Sequence, residues 1–451
     1  MVEFCFALAA TAIVGFPKVR PYVGLLLVIL VEQELFAGGT VGNEVGPLVS
    51  LGSGWFDAHV FGRVPVDTAL ALLVIFFCWP TAKGIGQGAA KAVLVALTFW
   101  VLLLGYVQGA SIVDDFASAQ NLIVACAGFV SVWGLANADS PEVRRRFCHI
   151  LYLAVIVKAT LGAFAFALGQ GPTPDDSVPI AFYDSVPLIV AAATVAVAAF
   201  DTRSNRFLRN LALLAALVLA GVSIRRASLV GAVIVILVCV LASRRLSSFL
   251  KFSMGAGIVA VISSVAFPSL LDSAYVSLSK ALNGLFGGSS SGSSSDSSTR
   301  GHLRDNVAGL DLAREHPFLG VGVRAAPTRD FVVKQGDLLY VHNEFLYAWL
   351  HYGVIGLLLL IWLIVFSVVR SLRVFARARV APPWALFGAA VLIAALPGYW
   401  FFPHLLTLDR FALLIGWSLG AVASASFVAA DGGDDQESAA SIPLKQLVGR
   451  R

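Results

Sequence analysis

Runs of about 20 apolar residues recur along nearly the whole chain, and this repetition limits the folds available to it. A helix needs about 20 consecutive apolar residues to cross the hydrocarbon core of a bilayer. The runs therefore predict an all-α polytopic membrane protein with about 12–13 transmembrane helices. Only 13% of the residues are charged, which is about half the fraction typical of a soluble domain. The expected spans lie near residues 2–16, 21–37, 65–80, 90–107, 119–137, 147–169, 178–200, 207–223, 227–242, 249–268, 344–369, 383–403 and 408–428.

The connectors between these spans alternate in charge. One set is basic and contains Lys18, Arg20, Lys83, Lys91, Arg144, Arg145, Arg146, Arg203, Arg206, Arg209, Arg244, Arg245, Lys251, Arg370, Arg373, Arg377 and Arg379. The other set, near Asp114/Asp115 and Asp175/Asp176, has no Lys or Arg. Because cytoplasmic connectors are enriched in Lys and Arg, we expect the basic set to face the cytoplasm. The net charge of +5 then reflects membrane topology, and we expect no nucleic-acid partner.

One long hydrophilic segment interrupts the apolar runs, and the same charge rule places it on the face opposite the cytoplasm, which in a Gram-negative cell is the periplasm. The chain is accordingly divided into residues 1–268 with transmembrane helices 1–10, the large periplasmic loop 269–343, the C-terminal spans 344–428 and a disordered cytoplasmic tail 429–451. The Ser-rich run 289–299 at the start of this loop is predicted to be a flexible linker.

A charged helix is expected after the linker. Ser298 or Thr299 can cap its start, and Pro317 is expected to end it. Helical spacing predicts an apolar face formed by Leu303, Val307 and Leu310, and a polar face with Arg300, Arg304 and Asp311. A polar face of this kind is often only solvated, so binding by Arg304 and solvation both remain open. The glycines after Pro317 predict a tight turn.

The sequence Val341-His342-Asn343-Glu344 directly precedes a span. Asn343 is a suitable N-cap, which places His342 at a helix N-terminus on the membrane surface. The helix dipole there disfavours the imidazolium form, and a neutral imidazole is what a general base must be. The alternative is a histidine that only caps the helix or lies among lipid headgroups. Of the other histidines, we expect His351 to be packed, His316 to shape the turn and His149 to face the cytoplasm, while the position of His404 in a short outer loop leaves its role open.

The connector Ser223-Ile224-Arg225-Arg226-Ala227-Ser228 breaks the charge rule, because it is basic and falls on the expected periplasmic side. Arginine at membrane depth costs several kcal/mol unless it is paired or faces water. Snorkelling to lipid headgroups is one explanation. We favour an anion site that faces the same side as the long loop.

The segment HPFLGVG, followed after about twenty residues by HNEFLYAWLHYGVIG, resembles the signature of the O-antigen ligase and O-antigen polymerase superfamily of bacterial membrane glycosyltransferases. In that pattern Arg300 fits the Arg ahead of the turn, and His342-Asn343 fits the HN pair. Residues 316–322 fit the turn, and Gly353 and Gly356 fit the following glycines. Arg225 or Arg226 resembles the Arg of the family's span connector, although Ile224 stands where Ser would precede it.

The resemblance implies a GT-C-like fold with one large periplasmic loop, and transfer of a glycan from undecaprenyl diphosphate to an acceptor sugar hydroxyl in surface polysaccharide or lipopolysaccharide biosynthesis. The acceptor would be lipid A–core for a ligase or a growing glycan for a polymerase. His342 would be the general base, and Arg225, Arg226, Arg300 and Arg304 would bind the diphosphate, since guanidinium matches phosphate oxygens. Asn343, Glu344 and His316 would support the site.

The resemblance also implies a metal-independent enzyme without cofactor. The sequence offers one rival metal pair, Glu32 and Glu34, which would face one ion only if the helix is unwound there. The five cysteines lie in or beside apolar runs, so we expect neither a disulfide framework nor a thiolate metal site. Two other functions stay open: a protein O-oligosaccharyltransferase, and, from another class, a lipid-linked glycan flippase, although no internal repeat typical of transporters is evident.

Overall fold

The computed structural model describes residues 16, 19–30, 59–60, 64–65, 71–76, 88–109, 112–167, 186–222, 226–243, 295–322, 334–335, 338–339, 341–401, 404–407 and 411–425. The predicted span 249–268, all of the predicted span 2–16 except its last residue, the acidic connector near Asp175, and the tail lie outside these residues.

Helices dominate the described chain. They are α1 (Arg20–Leu30), α2 (Gly88–Val107), α3 (Ile112–Ser131), α4 (Trp133–Asn137), α5 (Pro141–Ala167), α6 (Val186–Phe200), α7 (Arg206–Val222), α8 (Arg226–Ser243), α9 (Ser295–Glu315), α10 (Glu344–Ala376), α11 (Pro383–Phe401), α12 (His404–Thr407) and α13 (Phe411–Ala425), with a further helical stretch at 71–76. Two antiparallel pairs of two-residue strands are described as well, β1 (His59–Val60) with β2 (Val64–Pro65) and β3 (Lys334–Gln335) with β4 (Leu338–Leu339). The all-α membrane fold class is confirmed.

Four of the described helices are long and apolar enough to cross a membrane, namely Gly88–Val107, Pro141–Phe164, Glu344–Ala376 and Pro383–Trp400. The shorter apolar helices Ala119–Ser131, Val186–Phe200, Leu229–Ala242 and Phe411–Ala425 pack with them. The predicted total of about 12–13 spans also draws on residues that are not described, and it stays a prediction.

Small residues let the central helices approach one another closely. Gly416 and Gly420 lie one turn apart on α13 and face the backbone carbonyls of Ala125 and Phe129 on α3, where a Cβ atom would clash. On α3, a Cβ at Gly128 would lie 2.6 Å from the Leu413 carbonyl oxygen. Without a hydrophobic driving force between helices in lipid, such close packing of small residues is what holds spans together.

The two ends of the bundle differ in charge. At one end, called here the basic end, Arg144 forms an ion pair with Asp139 at 2.6 Å and donates to the Val380 carbonyl oxygen at 3.1 Å. Asp201 and Arg203, between α6 and α7, lie at the same end, since Asp201 accepts from Tyr152 of α5. Helices α5, α7 and α11 therefore start at the basic end, and α8 and α10 start at the opposite end.

Helix α10 is far longer than the predicted span 344–369. Its 33 residues would measure about 50 Å, against about 30 Å for the hydrocarbon core. The helix is broken at Gly353, which has a non-helical backbone with φ 68° and ψ −172°. The part before Gly353 is thus a separate short helix ahead of the spanning part.

Three sequence predictions were wrong in detail. Helix α9 begins at Ser295, so Ser298 and Thr299 lie inside it and the end of the predicted linker is helical; it does end before Pro317, as predicted. Asp114 and Asp115 belong to α3 and not to a connector. The predicted span 119–137 is interrupted at Val132, where α3 gives way to the short helix α4.

The predicted apolar face of α9, formed by Leu303, Val307 and Leu310, was wrong at Val307; Leu310 is partly buried, and the Leu303 side chain is not described. Val307 is 51% exposed, and the buried side is formed by Asp305, Ala308, Leu312 and Ala313. The reason is close approach: Gly309 faces Val341 so tightly that a Cβ atom would clash with its side chain. Small residues therefore determine which side of α9 packs, whereas the helical pattern of larger aliphatic residues predicted a different side.

Candidate functional site

Helix α9 docks against the residues that lead into α10, and His342 lies at this contact. The backbone N–H of His342 donates to the side-chain oxygen of Asn306 at 2.8 Å. The imidazole Nε2 lies 3.8 Å from a carboxylate oxygen of Asp305. The His342 side chain is 14% exposed and that of Asp305 only 2%. A loop histidine is thus held against a buried acid from a different element.

Asn343 caps α10, as predicted. Its backbone is extended, and its side-chain oxygen accepts from the Leu346 N–H at 2.9 Å. The side-chain amide also donates to the Trp400 carbonyl oxygen at 3.3 Å. The residue next to His342 therefore ties the start of α10 to the end of α11.

Glu344 is fully buried in the first turn of α10. Its two carboxylate oxygens accept from the N–H groups of Leu405 at 3.0 Å and Leu406 at 2.9 Å. A buried carboxyl group is tolerated when its oxygens are hydrogen-bonded. The carboxylate fastens α12 to α10 and so supports the His342 segment from a second side.

The turn at 316–322 docks onto the break in α10. The Pro317 carbonyl oxygen accepts from the Val354 N–H at 2.9 Å and the Trp349 indole N–H at 3.2 Å. Gly320 and Gly322 have positive φ values of 69° and 80°. At Gly353, a Cβ atom would clash with the Phe318 carbonyl oxygen. The two halves of the sequence motif are therefore one packed unit, and its glycines permit the contact.

Two further bonds complete the unit. The N–H of Val321 donates to the Leu350 carbonyl oxygen at 2.8 Å, and the N–H of Gly322 donates to the His351 carbonyl oxygen at 3.2 Å. The buried His351 ring lies with its Nδ1 2.7 Å from the Gly322 carbonyl oxygen. His351 is packed, as predicted. The Tyr352 carbonyl oxygen, directly before the break, accepts from the indole N–H of Trp100 on α2 at 2.8 Å.

His316 is exposed at the end of α9, and its carbonyl oxygen accepts from the Gly320 N–H at 3.0 Å to close the turn. This backbone contact agrees with the predicted turn. It does not bring the His316 imidazole to His342. His149 lies on α5 towards the basic end, away from the site, as predicted. His404 begins α12, beside the Leu405 that binds Glu344.

The predicted arginines are placed by backbone only. Arg300 and Arg304 lie in α9, the helix that carries Asp305 and Asn306. Arg226 is the first residue of α8, and α8 starts at the end of the bundle opposite the basic end. The close contact of Gly231 with Ala394 on the antiparallel α11 brings this start towards Trp400, and so towards Asn343. Arg225 lies outside the described residues.

Sequence reasoning missed Asp305 and Asn306. A usable signal was present, because Asp305 precedes the small or apolar Ala308, Gly309 and Leu312 at helical spacing. An acid at the head of such a stripe is a candidate buried carboxylate. Among the described residues, no group of three or more His, Cys, Asp or Glu could hold a metal ion. The rival pair Glu32 and Glu34 lies outside them.

Fold and site together define a multi-pass membrane protein in which a hydrophilic helix is docked against the start of a spanning helix. Residues 210–361 match the family described as O-antigen ligase. This range runs from α7 to the part of α10 that follows Gly353, and it includes Arg225, Arg226, α9, the glycine turn and His342. Residues 210–361 are therefore similar to the O-antigen ligase family, in agreement with the motif resemblance. No curated protein matches it.

Proposed function

We propose that this protein transfers a glycan from undecaprenyl diphosphate to an acceptor sugar hydroxyl at the periplasmic face of the bacterial inner membrane, without a metal ion. The observation that carries the proposal is the pair formed by His342 and the buried Asp305, with 3.8 Å between imidazole and carboxylate. A histidine with a buried carboxylate behind it is an arrangement suited to general-base catalysis.

The reaction needs one proton acceptor and one site for an anionic leaving group. The acceptor hydroxyl attacks the anomeric carbon, the bond from that carbon to the diphosphate oxygen breaks, and a glycosidic bond forms. The hydroxyl proton moves to the His342 imidazole, and undecaprenyl diphosphate leaves as an anion. Asp305 stabilises the imidazolium that forms, as a carboxylate does beside a catalytic histidine.

The arginines supply the leaving-group site in this proposal. Arg300 and Arg304 belong to the same helix as Asp305, and Arg226 starts α8 at the same end of the bundle. Guanidinium groups bind diphosphate oxygens in a bidentate manner and stay charged in a partly apolar environment. Arg225 and Arg226 share this role, and Asn343, Glu344 and His316 support it by fixing the segments around His342.

The orientation rests on charge. Arg144, Arg203 and Arg377 lie at the basic end, and clusters of this kind mark the cytoplasmic side. The site lies at the opposite end, which is the periplasmic side in an inner membrane. There it meets lipid-linked glycans and, for a ligase, lipid A–core.

Turnover by the purified protein tests the proposal. The protein in nanodiscs is mixed with an undecaprenyl-diphosphate-linked glycan and an acceptor, and the joined product is quantified. His342→Ala is expected to lose nearly all product, while His149→Ala, at the basic end, keeps wild-type turnover. Full turnover by a folded His342→Ala protein would refute His342 as base. If the wild-type protein consumes no donor and forms no joined product, the result would point to a flippase.

A second comparison tests the diphosphate site on one helix. Arg304→Lys keeps the charge but loses the bidentate contact, so the donor KM should rise at least tenfold. Arg314→Lys is the matched control, because Arg314 is exposed on the same helix and pairs only loosely with Asp311, at 3.6 Å. Equal kinetics in the two variants would remove Arg304 from the donor site.

The surface glycan of a cell lacking the gene separates a ligase from a polymerase. Bare core with accumulating lipid-linked polymer indicates a lost ligase, and core with a single repeat indicates a lost polymerase. Unchanged lipopolysaccharide with loss of a glycoprotein would indicate a protein O-oligosaccharyltransferase.

A further inference from the structure

Trp400 presents an exposed aromatic surface beside the His342 segment. It lies near the end of α11, and its side chain is 63% exposed, whereas Trp384 at the start of α11 and Trp417 on α13 are completely buried. Of the residues in the span Pro383–Trp400, 78% are buried. Among the described side chains of α11, Trp400 is the exposed exception, and it lies at the end that meets the His342 segment.

Among the described residues, one aromatic side chain packs against the Trp400 ring. Phe345, in the first turn of α10, lies with its ring centroid 5.3 Å from that of Trp400, at an interplanar angle of 53°. The backbone of Trp400 is fixed as well, because its carbonyl oxygen accepts from Asn343. Within the described part of the chain, the indole N–H has no hydrogen-bond partner. The ring is thus held in place with an open face and a free donor.

The contacts of His342 and Asn343 distinguish two sides of the site. On one side, His342 is bonded to Asn306 of α9, the helix that carries the proposed donor arginines. On the other side, Asn343 is bonded to Trp400 of α11. If the donor diphosphate lies against α9, the hydroxyl that approaches His342 comes from the α11 side.

We infer that Trp400, backed by Phe345, is a stacking platform for a sugar ring of the acceptor; this rests on the proposed glycosyl transfer. One face of a pyranose presents C–H bonds with partial positive charge, and the face of an indole is negative. The indole N–H can donate to a ring hydroxyl. The platform binds the acceptor in the orientation that brings its hydroxyl to His342.

The alternative for an exposed tryptophan near the end of a span is anchoring among lipid headgroups. Anchoring depends on an amphipathic aromatic ring and is indifferent to the acceptor. Stacking predicts a loss that is specific to the acceptor, so kinetics with separate donor and acceptor titrations distinguish the two explanations.

The experiment compares Trp400→Ala and Trp400→Leu with the wild type in nanodiscs. Leucine keeps apolar bulk but removes the aromatic face. Trp362→Ala is the matched control, because Trp362 is 39% exposed in the spanning part of α10 and stacks on Phe366. The acceptor probes are a lipid A–core oligosaccharide and a single lipid-linked repeat unit, which represent a ligase and a polymerase acceptor respectively.

For the probe that supports turnover, both Trp400 variants should raise the acceptor KM roughly 5- to 10-fold, the size expected for one aromatic contact. The donor KM and the Trp362→Ala kinetics should not change. An unchanged acceptor KM, a parallel rise in donor KM, or the same effect in Trp362→Ala would overturn the inference.

Binding separates this inference from the proposed function. The dissociation constant of the same acceptor is measured by microscale thermophoresis in the His342→Ala background, with and without Trp400→Ala. A several-fold larger dissociation constant in the double variant supports the platform. If His342→Ala abolishes turnover while Trp400→Ala leaves acceptor binding unchanged, the platform alone is refuted. If His342→Ala keeps full turnover, the proposed function itself falls.

Discussion

Replacing Asp305 by Asn removes the charge behind His342 and nearly keeps the shape of the side chain. The carboxylate lies 3.8 Å from the imidazole, and both side chains are largely buried. Two unit charges at this distance interact by about 4 kcal/mol at an effective dielectric constant of about 20. Since 1.36 kcal/mol corresponds to a factor of ten in rate, the full term equals about a thousandfold.

Part of that energy is offset by the cost of burying the charge, so we expect kcat to fall about 10²- to 10³-fold in Asp305→Asn. The donor and acceptor KM should change little, because the lost interaction develops as the proton moves. Turnover of a lipid-linked glycan by protein in nanodiscs measures both, and thermal unfolding checks that the variant is folded.

Asp311→Asn is the matched control for this prediction. Asp311 lies on the same helix, and its side chain is 48% exposed. Its kinetics should equal those of the wild type. Wild-type kcat in a folded Asp305→Asn protein, or an equal loss in Asp311→Asn, would refute the role given to Asp305.

Two more predictions concern the packing around His342. In Gly353→Ala, the positive φ costs about 1–3 kcal/mol, and the new methyl group clashes with the Phe318 carbonyl; we expect lost turnover and faster proteolysis of the loop. Gly88→Ala, in open space at the start of α2, should show neither, and wild-type proteolysis of Gly353→Ala would contradict the docking. In Glu344→Gln, one of the two N–H groups of Leu405 and Leu406 faces an amide nitrogen instead of an oxygen, which costs about 1–3 kcal/mol. A lower thermal midpoint checks this, with the exposed Glu142→Gln as control.

The sequence located the important segments because their signals are local. Asn343 could be identified as an N-cap, since a polar residue with the right side chain directly precedes an apolar run. Pro317 marked the end of α9 for an equally local reason, because a proline disfavours the helical conformation of the residue before it. His351, two turns into an apolar run, could be expected to pack.

The start and the buried face of α9 could not be read correctly from the sequence. Serines carry weak helix preference, so Ser295–Thr299 gave no helical signal of their own. Val307 is larger and more apolar than Ala308 or Gly309, yet it is the exposed one. Packing against Val341 requires small residues, and this requirement lies in the partner segment and not in α9.

The apolar runs and the charges of their connectors predicted by themselves a helical membrane protein, and the short motifs predicted its resemblance to O-antigen ligases and a histidine at the start of a span. Hydrophobicity, charge bias and short motifs are local properties, and a bilayer permits few structures for them. Only the tertiary structure decided what stands behind that histidine. It brings together residues that are far apart in the chain: Asp305 with His342, Glu344 with Leu405 and Leu406, and Trp400 with Phe345 and Asn343. These contacts depend on how α9, α10, α11 and α12 pack.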